Sequence, residues 1–114
     1  MCNVIEEKSF NFAIRIVKLC RYLVSERKEG VLSNQLLRSG TSIGANVAEA
    51  ERGQSKADFH AKMTVALKEA NETYYWLRLL YRTELLSEKA FDSLEPEIKE
   101  IISILTAICK SSNK

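Results

Sequence analysis

Few side chains in this chain could do chemistry. His60 is the lone histidine, and the three cysteines are Cys2, Cys20 and Cys109. A histidine beside a cysteine could serve nucleophilic catalysis or hold a metal. No cysteine lies near His60 in sequence, and there is no CxxC pair, GxSxG, HExxH or phosphate-binding loop. His60 therefore reads as a surface or helix-capping residue. Cys20 and Cys109 fall at apolar helix positions and read as buried free thiols, a usage suited to a reducing cytoplasm. Glu69 and Glu72 could form a carboxylate pair, but Lys68 and Glu72, at i and i+4, more simply make a surface ion pair worth a few tenths of a kcal/mol. No catalytic residue, metal or cofactor is expected, and an enzyme is the least supported class.

Two constellations suit binding instead. Lys8, Arg15, Lys18 and Arg21 occupy the side of one helix away from Phe10, Ala13, Val17 and Val24. Such a row could track a phosphate backbone, and it equally suits a solvated face. Only Tyr22 lies near it as a stacking group. The net charge of +2 gives no whole-molecule pull toward nucleic acid, so binding would need a local patch or repetition in an oligomer. On the next helix Arg38, Ser42, Ala45, Glu49 and Arg52 share a stripe, with Asn46 beside Val47. Arg38 and Glu49 stand about three turns apart and cannot pair within the helix. Each needs a partner in another helix or subunit. The stripe reads either as a polar recognition groove or as a network fixing helix pairing and subunit register.

The elements that must position these residues are helical. A single proline and four glycines in 114 residues leave few breakers, and no stretch alternates with period two. The length is that of one domain. The N-terminus lacks a basic region followed by an apolar run, and no stretch nears ~18 uninterrupted apolar residues. No membrane partner is expected. Helix one should run from Asn3 or Ser9 to about Lys28, burying Phe10, Ala13, Ile14, Val17, Cys20, Leu23 and Val24, with Gly30 as its stop. Helix two should start at a Ser33 cap, bury Leu36, Leu37, Gly40, Ile43, Gly44, Val47 and Ala48, and end near Arg52 with Gly53 left-handed. Gly40, Gly44 and Ala48, four apart, leave a face on which a neighbouring helix can come close. Helix three should open on a Ser55 cap with Asp58 and run to about Arg82. Its stripe of Phe59, Met63, Ala66, Ala70, Tyr74, Leu77 and Tyr81 is wide enough to suggest a subunit contact as well as a core. Helix four should follow a Ser87 cap and be kinked or split at Pro96, with Ile98, Ile101, Ile102, Leu105, Ile108 and Cys109 buried and the tail fraying. Short connections make this an all-α, antiparallel up-down-up-down four-helix bundle.

The segments QLLRSGTSIGANVAEA (Gln35 to Ala50), SKADF (Ser55 to Phe59) and ALKEANETYYWL (Ala66 to Leu77) resemble the 23S rRNA intervening-sequence protein family, also called the four helix bundle protein family. Leu37, Arg38, Ser42, Ile43, Ala45, Asn46, Glu49, Ser55 and Phe59 carry the pattern. The resemblance implies a left-handed four-helix bundle that assembles as a ring, commonly a pentamer, with no enzymatic activity. A related, strongly basic group in diversity-generating retroelements is similar in fold, and this chain departs from it in net charge. Two functions follow as expectations. One is a cytoplasmic homo-oligomer that binds structured RNA through rings of Lys and Arg; the other is a protein-interaction scaffold.

Overall fold

The computed structural model describes residues 3–113. Four helices, α1 (Asn3–Glu26), α2 (Val31–Glu51), α3 (Lys56–Arg82) and α4 (Glu88–Ser112), form a bundle 44 × 20 × 18 Å, and there is no strand among the described residues. Contacts fix the directions. Cys20 meets Ser33, Ser39 meets Thr73, and Tyr81 stacks on Phe91, so successive helices are antiparallel. Arg15 reaches Ser93 and Glu97, and Lys8 reaches Glu100, closing α4 against α1 in the same sense. The topology is up-down-up-down.

Each helix contributes a stripe repeating at three and four residues, such as Phe91, Leu94, Ile98, Ile101 and Leu105 on α4. Helix α1 departs from its expected face. Ile5, Phe12, Ile16, Cys20 and Leu23 are buried, whereas Phe10, Ile14 and Val24 are exposed. The reason lies on α2. A Cβ at Gly40 would stand 2.8 Å from Ile16 Cγ2, and one at Gly44 would stand 3.3 Å from Ser9 Oγ. The small-residue face admits α1 at close range with Ser9 and Ile16 facing inward, so Phe10 turns out to solvent.

Several boundaries also differ from expectation. Helix α1 starts at Asn3, the earlier of the two expected starts, and Ser9 lies buried inside it, donating to the Glu6 carbonyl at 3.2 Å. It ends at Glu26 because Lys28 takes the left-handed conformation (φ 57°), letting the Glu29 amide donate to the Leu23 carbonyl at 2.9 Å. Ser33 is not the α2 cap. The helix has already begun at Val31, and the Leu32 amide donates to Glu29 Oε2 at 3.0 Å. Ser33 is buried, and its hydroxyl donates to the Cys20 carbonyl at 3.2 Å. Gly53 is not left-handed; no described glycine has positive φ. A Cβ there would meet the Ala50 carbonyl oxygen at 3.1 Å, so close approach is what selects glycine. Ser55 does cap α3, accepting from the Asp58 amide at 3.0 Å, and Ser87 caps α4 through the Ala90 amide at 3.1 Å.

Pro96 does not divide α4, which runs unbroken through it. Proline leaves the carbonyl four residues earlier, on Asp92, without a backbone donor. Both residues are exposed, so water can serve that carbonyl. The core residues on either side of Pro96 hold one continuous stripe against α3 and α1. The broad apolar stripe of α3 is covered by α2 on one flank and α4 on the other, and the largest share of the exposed apolar side chains lies on α1.

Candidate functional site

The polar signature of α2 faces α3. The Arg38 guanidinium pairs with Glu69 Oε1 at 3.3 Å and with the Glu72 carboxylate. Glu72 also accepts from Trp76 Nε1 at 3.0 Å. Lys68 therefore forms no pair with Glu72: Arg38, reaching across from α2, brings its fork to both carboxylates of α3. Glu49 pairs with Lys62 at 2.9 Å. Ser42 donates to the Arg38 carbonyl at 2.6 Å, and Asn46 Nδ2 donates to the Ser42 carbonyl at 2.8 Å. Ser55 acts only as the α3 cap. These side chains form a seam between two helices, with Thr73 Oγ1 buried 3.0 Å from Ser39 Oγ beneath it. Sequence reasoning missed the Ser39–Thr73 pair. Thr73 lies next to Tyr74 on the apolar stripe, and that position was the available signal.

The basic row on α1 divides. Lys8 pairs with Glu100 at 3.2 Å, and Arg15 pairs with Glu97 and donates to Ser93 Oγ at 2.8 Å. Lys18 and Arg21 are exposed and stand in no ion pair among the described residues. Arg21 departs from the expected row: one turn from both Val17 and Val24, it lines a groove with them instead of facing away. The α4-facing pairs are half-exposed, and pairs of that kind contribute at most about 1 kcal/mol. A phosphate could displace them.

His60 is half-buried, its Nδ1 2.7 Å from Ser112 Oγ at the far end of α4. Thr64 sits beside it, donating to the His60 carbonyl at 2.8 Å, with its Oγ1 3.9 Å from Cys109 Sγ. No group of three metal-ligating side chains occurs among the described residues. Cys20 and Cys109 are free thiols, and Cys2 lies outside the described residues.

Burial pushes the Cys20 thiol above its ordinary value, and hydrogen bonding by Ser33 offsets part of that rise. The folded state thus holds this proton more tightly than the unfolded chain. The resulting stability is present below the unfolded thiol's pKa of about 8.5 and falls as pH rises past it. Under native conditions, alkylation followed by peptide mass spectrometry should label half-buried Cys109 well before Cys20. Equal rates would show that the α1–α2 contact opens readily.

No helix among the described residues is long and apolar enough to cross a membrane. The chain resembles a solved structure from Bacteroides thetaiotaomicron, described as a protein of unknown function from the S23 ribosomal protein family. The two share 54% identity with a TM-score of 0.91, over 93% of this chain and 98% of that one. No curated protein matches the chain. The family model described as 23S rRNA-intervening sequence protein matches residues 3–107, which includes the Arg38–Glu49 seam, α1 to α3 and most of α4, so the chain belongs to that family.

Proposed function

We propose that this protein is a non-enzymatic, self-associating helical bundle of the cytoplasm that serves as an accessory factor for structured RNA. The observation that carries the reading is the outer face of α1. Phe10 is 65% exposed, Val24 52% and Val31, at the adjoining start of α2, 76%. Ile14 and Val17 lie between them, and a groove of about 680 Å3 beside them is lined by Val17, Val24 and Leu37. An apolar patch of this kind on a soluble bundle marks an interaction surface. A second copy of the chain would cover it, in keeping with the rings, commonly pentamers, that the family resemblance implies. Repetition around a ring would multiply Lys18, and with it the displaceable Lys8 and Arg15, into a charge density that +2 per chain does not supply.

Light scattering at low and moderate salt, with and without a structured RNA, tests both parts. The expected result is a discrete oligomer that takes up RNA at low salt and releases it as salt rises. Lys18→Glu should weaken uptake and leave the oligomer intact. A monomer at all concentrations would remove the self-association. A second reading, a scaffold for another protein, draws on the same apolar α1 face. A discrete oligomer indifferent to RNA at both salts would move the function there.

A further inference from the structure

The opposite flank of α3 carries a second surface. Its residues Lys68, Asn71, Tyr75, Arg78 and Arg82 are spaced by three, four, three and four, so they share one face, and all five are exposed. The face spans about 21 Å of helix. It contains no carboxylate, because the charges of α3 are partitioned. Glu69 and Glu72 are drawn to Arg38, and Lys62 to Glu49, all on the α2 side. Lys68, Arg78 and Arg82 are left in no ion pair among the described residues. On the adjoining edge of α4, Glu95 is engaged by Lys99 at 3.6 Å and by the Tyr74 hydroxyl at 2.6 Å.

An aromatic platform sits in the middle of these cations. Tyr75 is 53% exposed and meets Trp76 edge to face, 5.1 Å between centroids at 74°. Trp76 is held in turn by its bond to Glu72, which Arg38 clamps. The seam thus fixes the ring that presents Tyr75 to solvent. Beside it, the Arg78 guanidinium lies 5.6 Å from the Tyr74 ring centroid.

We infer that this α3 face binds a single strand of nucleic acid, with Lys68, Arg78 and Arg82 on phosphates and a base stacked on Tyr75. Unpaired cations around an exposed ring supply the two interactions that recognise a single strand without reading its sequence. A protein partner would call for buried apolar area, which this face lacks. The inference rests on the nucleic-acid reading above, but it places the contact on α3 rather than on α1, where Lys8 and Arg15 are already paired with Glu100 and Glu97 and the exposed Tyr22 stands at the end of the row.

The test uses the full chain and short fluorescein-labelled oligo(rU) and oligo(dT), read by anisotropy and by the fluorescence of Trp76, the lone tryptophan. Binding should weaken about twentyfold for a fourfold rise in salt, as expected for three neutralised phosphates on a single strand. Lys68→Gln with Arg78→Gln and Arg82→Gln should flatten that salt dependence by about two logarithmic units per decade. Tyr75→Ala should lose about tenfold in affinity. Trp76 emission should change on binding in the parent chain. Circular dichroism checks that each variant stays helical. Preference for oligo(rU) would make RNA the ligand, and equal affinity would make it any single strand. If the α3 variants bind both strands as the parent does, the inference is overturned. Should Lys18→Glu then abolish binding, the nucleic-acid reading survives on α1. A parent that takes up structured RNA but neither oligonucleotide also overturns the inference alone. A parent that binds no nucleic acid overturns both.

Discussion

Gly40→Leu is expected to destabilise the bundle by a net ~2 kcal/mol, while Gly44→Ala leaves stability nearly unchanged or slightly raised. Replacing a helix-interior glycine gains about 1 kcal/mol of backbone propensity at either site. Packing decides the sign. At Gly40 even a Cβ would lie 2.8 Å from Cγ2, 3.1 Å from Cγ1 and 3.3 Å from Cβ of Ile16. Ile16 is fully buried and cannot swing aside. A leucine must push α1 off α2, and overpacking of this kind costs about 1–3 kcal/mol and sometimes more. At Gly44 the nearest atom is the Ser9 hydroxyl at 3.3 Å, which can give by a few tenths of an ångström. Denaturant melts of the two variants check this. Equal loss in both would mean that α1 is not seated against Gly40 as described.

The second large effect separates two phenylalanines two residues apart. Phe12→Ala should cost about 3–5 kcal/mol, because Phe12 is 0% exposed and its removal leaves a cavity at the centre of the bundle. Phe10→Ala should change the stability of the isolated chain by no more than about 0.5 kcal/mol, as for an exposed side chain. It should instead weaken self-association. Thermal melts at low concentration, paired with light scattering at high concentration, resolve the two effects. A large loss for Phe10→Ala at low concentration would return Phe10 to the core and remove the α1 face as an interaction surface.

The contrast shows why α1 was hard to read. Phe10, Ile14, Val17 and Val24 repeat at helical spacing, and so do Ile5, Phe12, Ile16 and Leu23. A helix with two apolar stripes satisfies the same periodicity twice, so period alone cannot say which stripe is the core. The polar signature was partly legible. Arg38 and Glu49 were too far apart to pair on their own helix, which required partners elsewhere. Which carboxylates Arg38 would reach was not legible. Glu72 offered itself equally to Lys68 one turn away, and only the docking of α2 on α3 gave it to Arg38.

By itself the sequence determined that the chain is a four-helix bundle of its family. Cap residues such as Ser55 and Ser87, apolar repeats of three and four, and scarce glycine and proline act locally, within a turn or two of chain. The tertiary structure alone decided the face of α1, the continuity of α4 through Pro96 and the partition of charge on α3. Each of these depends on an atom from another helix: Ile16 against Gly40, the bundle core spanning both sides of Pro96, and Arg38 against Glu69 and Glu72. Local pattern specifies what a helix is, while long-range packing selects which of its faces is left for a partner.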